Sequence, residues 1–154
     1  MAEHGFDTLQ ELRSSIGKEA GVSGWVPITQ ERIDRFAELT EDRQWIHVDR
    51  DRARRKSPFS APVAHGFLTV SLLPMLLRDA VDVRIPCRLL VNYGFNRLRF
   101  PAPVPAGARI RAHVIPQSVE EIHQGVQIAW QVSVEVESQE KPALVAEWLL
   151  RMYV

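Results

Sequence analysis

Asp42 and His47 are the two residues whose types and spacing best suit acid–base chemistry. A carboxylate and an imidazole that share one water molecule can take a proton from it while a proton is supplied to carbon. That is what adding water across a polarised double bond requires. An imidazole with an ordinary pKa of about 6.5 exchanges protons near neutrality, and an ordinary aspartate is ionised there. The offset of five residues is not a helical i, i+4 spacing, and Arg43-Gln44-Trp45-Ile46 is poor helix material. Both side chains are therefore expected to project from an irregular loop. Residues 57–64, with prolines at 58 and 62, continue the loop to His65-Gly66, where the apolar run 67–77 begins.

The rest of the chain supplies the elements that must position this pair. Asp7 or Thr8 can cap a short helix with Leu9, Leu12 and Ile16 on one face, ended by Gly17, which makes residues 1–20 an outer strap. Trp25-Val26-Pro27-Ile28 reads as an edge strand. Thr29 caps a second helix whose stripe is Ile33, Phe36, Ala37 and Leu39. Asp49 caps a further turn bearing Arg50, Arg52, Arg54, Arg55 and Lys56. Nearly every residue of 67–77 is apolar, so that helix must be enclosed on most sides, and Pro74 should kink it. Beyond residue 88 the pattern turns to strands. Gly94 signals a bulge or a close backbone approach, residues 109–114 alternate, and Val126, Ile128, Trp130, Val132, Val134 and Val136 share one face. Residues 143–153 pair back after a turn at 138–142. Long alternating strands joined by hairpins predict an antiparallel sheet, and its apolar face needs the one apolar helix: an α+β class, with a curved sheet wrapped around a central helix.

Composition narrows the function. The 154 residues, 45% of them apolar, suffice for one domain, 1–154. Nineteen basic and nineteen acidic residues cancel, so net charge favours neither nucleic acid nor an anionic membrane. A single cysteine, Cys87, among apolar neighbours reads as a buried structural thiol in a reducing compartment. No apolar run approaches the roughly 20 residues of a membrane span, and MAEHGFDTLQELR has no apolar core of a leader, so a cytoplasmic protein is expected. Histidines 4, 47, 65, 113 and 123 form no H-x-H or H-x-x-x-H pair, so neither a metal nor another cofactor is expected.

Three stretches in order, TEDRQWIHVD, AHGFLTVSLL and NYGFNRLRFPAPVPAG, resemble the MaoC-like dehydratases of the hotdog fold, and within them the nodulation-protein-N-like branch that includes (R)-specific enoyl-CoA hydratases. The similarity spans about residues 21–154 and treats 40–66 as a catalytic overhang. It implies a single hotdog domain, Asp42 and His47 as catalytic residues, and the Gly66 N–H as a donor to the thioester carbonyl. It also implies a homodimer and the conversion of trans-2-enoyl-CoA to (R)-3-hydroxyacyl-CoA, with CoA as part of the substrate. The sequence departs from the family's N-P-[IL]-H in reading Gln44-Trp45-Ile46-His47, which bears on acyl-chain preference.

Other roles stay open on the sequence. Trp45 and His65 are candidate substrate contacts, His65 equally an anchor of its loop. Asn92, Tyr93 and Gly94 fit either an acyl tunnel or a bulge. Arg52, Arg54, Arg55 and Lys56 fit a clamp for CoA phosphates or a solvated helical turn. Two other functions share the fold: a thioesterase, in which the same water attacks the thioester carbonyl, and a non-catalytic acyl-thioester binding module. Acyl length, CoA or acyl carrier protein as carrier, and which of the dyad is the formal base are not encoded in any motif.

Overall fold

The structure of the chain, a computed structural model, describes residues 5–154. His4 and the first residues of the strap lie outside them. Strand β7 (Gly125–Val136) is the middle of the sheet, and its six predicted inward residues are all 3% exposed or less. Each such side chain removes apolar surface from water at about 25 cal/mol per Å². On one side β7 pairs antiparallel with β6 (Arg109–Ile122), on the other with β8 (Leu144–Tyr153), which pairs with β5 (Leu89–Arg99). Two short strands, β2 (Gly21–Val22) and β3 (Val26–Pro27), run along the far side of β6. The six strands form an open sheet in the order β2-β6-β7-β8-β5 with β3 beside β6, so Pro27 does sit at an edge. A separate parallel pair joins β1 (Gly5–Phe6) to β4 (Asp82–Val83).

The apolar helix lies against this sheet, but as two pieces. Helix α5 (Gly66–Ser71) ends at Leu72, and α6 (Leu73–Ala80) starts there with Pro74 in its first turn. Proline has no N–H to give to the preceding turn, so a new helix begins instead of a bend within one. Leu68, Leu73, Leu76, Leu77 and Ala80 join the core with the inward faces of β6, β7 and β8. Enclosure is less complete than the composition suggests: Phe67 is 68% exposed.

Helix α1 (Leu9–Ser14) begins with a capping box, in which Thr8 accepts from the Glu11 N–H and the Glu11 side chain returns to the Thr8 backbone. The segment after it bonds to the β6 backbone through Gly17 and Ala20. Leu12 is buried, whereas Ile16, beyond the helix end, is 40% exposed. Helix α2 (Gln30–Thr40) is capped by Thr29, which accepts from the Arg32 N–H, and buries Ile33 and Ala37. Leu39 does not belong to that stripe and is 82% exposed. Two residues beyond Ala37 is about 200° around a helix, on the opposite face.

One two-way expectation resolves and another is corrected. Gly94 does mark one of two register shifts in β5, but a Cβ built there meets nothing within 4 Å, so no close approach demands the glycine. Cys87 is exposed. Its apolar neighbours Leu89 and Leu90 are themselves about half exposed on the unpaired edge of β5 and cannot bury it. Among the described residues, no helix is long and apolar enough to cross a membrane.

Candidate active site

The end of α2 aims the acid. Glu41 takes the left-handed conformation at the helix C-terminus, with φ of 62°, which turns the chain out of the helix and leaves Asp42 exposed beyond it. The histidine is not in an irregular loop. It sits in a single helical turn, α3 (Trp45–Val48), because the sequence is tied at both sides. Gln30 Nε2 of α2 donates to the His47 carbonyl at 2.7 Å, and the Val63 N–H donates to the Ile46 carbonyl at 3.1 Å. Helix α4 (Arg50–Lys56) follows at once, capped by Asp49 as expected.

These ties fix the tautomer of His47. Its Nδ1 lies 2.6 Å from the Val63 carbonyl, which can only accept, so the proton is on Nδ1 and Nε2 carries the lone pair. The ring is buried, and burial is the main cause that holds its pKa below the ordinary value. The Val63 bond and Asp42 oppose that shift, and His65 reinforces it. His47 is thus a neutral imidazole at pH 7 with a free Nε2.

His65 completes the cluster from the N-cap position of α5. Its Nε2–H donates to the backbone carbonyl of Asp42 at 2.9 Å, and its ring stacks on that of His47 with centroids 3.8 Å apart and planes 24° apart. Phe36 packs against it at 5.0 Å. Side-chain donor atoms of Asp42, His47 and His65 all lie within 4.8 Å of one another.

A cavity of about 400 Å³ opens beside His47. Its walls are apolar: Ile46, Phe59, Val63 and Val104 among them, with Phe100-Pro101-Ala102-Pro103 across from Gly66 and Thr69. Gly66 is the first residue of α5, where no preceding turn offers its N–H an acceptor, and the His65 side chain makes no cap bond there. A Cβ at Gly66 would sit 2.9 Å from the Phe100 ring, so a larger residue would displace that wall.

The other predicted contacts are placed elsewhere. Trp45 is half-buried under the Arg52 guanidinium, 4.5 Å from its ring centroid, and does not line the cavity. Asn92, Tyr93 and Gly94 lie in β5 away from the cavity, with Arg151 stacked on Tyr93 at 3.3 Å. Arg54, Arg55 and Lys56 are exposed in the last turn of α4. Sequence reasoning missed Gln30, the Val63 carbonyl and the Phe100 wall. The run of prolines 101, 103 and 105 carries no mark of its return to the start of α5, where the Ala64 N–H donates to the Val104 carbonyl at 2.8 Å.

Known proteins share the fold. Residues 11–138 match the family model of the MaoC like domain. The 3-hydroxyacyl-thioester dehydratase Z of Mycobacterium tuberculosis is 46% identical over 147 residues, which cover 95% of this chain and 96% of that protein. Nodulation protein N of Rhizobium meliloti is 38% identical over 143 residues, covering 92% of this chain and 89% of its own. Among solved structures, an (R)-hydratase from A. caviae involved in PHA biosynthesis superposes with a TM-score of 0.67 at 23% identity, over 88% of this chain and 94% of that one. The fold is the hotdog fold.

Proposed function

This chain belongs to the MaoC-like dehydratase family, and from that premise we propose that it hydrates trans-2-enoyl thioesters to (R)-3-hydroxyacyl thioesters and catalyses the reverse dehydration. The observation that carries the reading is the His47 tautomer: a neutral ring in the cavity wall, pinned through Nδ1 with Nε2 free, and clustered with the Asp42 carboxylate, their donor atoms within 4.8 Å of one another.

With the enoyl group in the cavity, Asp42 and His47 hold one water between them. His47 Nε2 accepts its proton as the oxygen bonds to C3, and Asp42 orients the water and stabilises the imidazolium that forms. The electron pair of the double bond moves toward the thioester oxygen, which the Gly66 N–H and the first turn of α5 stabilise as an enolate. Proton return from the dyad to C2 completes the addition, so one water supplies both the hydroxyl and the hydrogen. No metal or redox group takes part. The carrier is CoA, its phosphates met by Arg54, Arg55 and Lys56. The chain works as a homodimer, in which a second copy covers the open edge of β5, where Leu89, Leu90 and Tyr93 are about half exposed.

The test is loss of the enoyl-thioester absorbance of crotonyl-CoA, with the product passed to a dehydrogenase selective for the (R) alcohol. Turnover to the (R) product that falls at least about 100-fold in Asp42→Asn and His47→Ala is expected. Release of free CoA thiol would assign a thioesterase instead. Binding without turnover of short and medium enoyl chains would leave a binding module and end the hydratase reading.

A further inference from the structure

His65 is 3% exposed and lies behind His47, outside the residues that line the cavity. Its two bonding directions are unequal. Nε2–H is committed to the Asp42 carbonyl, whereas Nδ1 is sealed from solvent with no hydrogen-bond partner. A buried acceptor left unpaired forfeits its bond to water and gains nothing in return, so a residue chosen only to fill this space would have been apolar. A phenylalanine ring would match the stacking on His47 and the contact with Phe36, yet it would lose the one bond that reaches the turn carrying the acid.

We propose that His65 is a positioning residue for the dyad: its Nε2–H anchors the Asp42 turn, and its ring face backs the His47 ring. This rests on the hydratase reading for its catalytic consequence, though not for its structural one. The Asp42 side chain is exposed, so its placement depends on its backbone. That backbone is held by the His65 bond and by a long contact of the Asp42 N–H with Thr40 Oγ1 at 3.5 Å. The His47 ring has its edge fixed by Val63, and stacking on His65 restrains its tilt.

The arrangement also bears on protonation. The titratable groups that face His47 are Asp42, from the turn after α2, and His65, from the start of α5. Its other neighbours, Gln30 of α2 and Val63 of the loop before α5, present an amide and a carbonyl.

Two variants separate the two tasks. His65→Gln retains an N–H near the position of Nε2 without the ring; His65→Phe retains the ring without the N–H. In His65→Phe, kcat should fall by up to about 100-fold with KM little changed, the scale expected when a catalytic group is misplaced by about an ångström. In His65→Gln most of that loss should be recovered. The second readout is an NMR titration of the His47 imidazole in the free protein. His47 should rise only slightly in His65→Phe, which keeps the burial but loses the reinforcement from His65, and move further up toward the ordinary value of about 6.5 in His65→Gln, where solvent reaches the ring. Equal kcat in wild type and both variants, a loss confined to KM, or an unchanged His47 titration in His65→Gln would overturn the proposal. Because the titration needs no turnover, it decides the structural claim even if crotonyl-CoA is not hydrated, and His65→Gln alone suffices if His65→Phe does not fold.

Discussion

The sheet and the overhang formed by residues 40–66 are built on different terms. Along β7, β8 and the first half of β6 every second residue is buried, and backbone pairing continues from Ile110 to Ile122 against β7 and along all of β8. In the overhang, position is set by a few side-chain bonds to backbone carbonyls: Gln30 to His47, His47 to Val63 and His65 to Asp42. The sheet holds its shape by area, which forgives small errors. The overhang holds its shape by individual bonds, which do not.

On that division, damage to the sheet costs stability and damage to the overhang costs chemistry. Ile110→Ala empties a fully buried site and should lower the unfolding free energy by about 2–5 kcal/mol in a denaturant titration, with turnover of the folded protein unchanged. Asp42→Asn should show the converse: a loss of turnover of about 100-fold or more with the unfolding midpoint in place, since its side chain is exposed. A large shift in that midpoint would break the contrast. Thr29→Ala removes the cap of the helix that aims Asp42 and should cost about 1 kcal/mol by the same titration.

The finest distinction is in pH, and the two regions should respond with opposite sign. His47 has a lowered pKa, so the unfolded chain binds the extra proton first; the stability it contributes is present above about 6.5 and is lost as pH falls through the folded value. His113 lies on β6. Burial opposes its charge, but hydrogen bonds to Glu135 and Glu19 prevail and raise its pKa. Its contribution is full below about 6.5 and is lost as pH rises through the folded value. Unfolding midpoints of His113→Gln followed across pH 5–8 (roughly the range in which histidines titrate) should lose the alkaline component only.

Legibility in the sequence followed the same division. The alternation of β7, the caps at Thr8, Thr29 and Asp49 and the edge proline at 27 are local signals, and each produced the element expected of it. Leu39 and Cys87 were misread because an apolar type says nothing about which way a helix or an edge strand faces. Asp42 and His47 were legible as a pair by type and spacing. Their supports were not: Gln30 is seventeen residues from His47 and Val63 sixteen, and a backbone carbonyl that orients a ring leaves no mark on residue type. The single turn of α3 likewise arises from tertiary bonds that outweigh the weak helix preference of its residues.

The misread cysteine has a practical use. Cys87 is the chain's one thiol, and it stands exposed just before β5, while Phe100 and the cavity lie just past the far end of that strand, roughly 35 Å along it. A maleimide dye would therefore attach at one position without engineering, far from the dyad yet beside the unpaired edge of the sheet. Energy transfer between differently labelled copies would then report when two such edges meet, with the reaction chemistry left undisturbed.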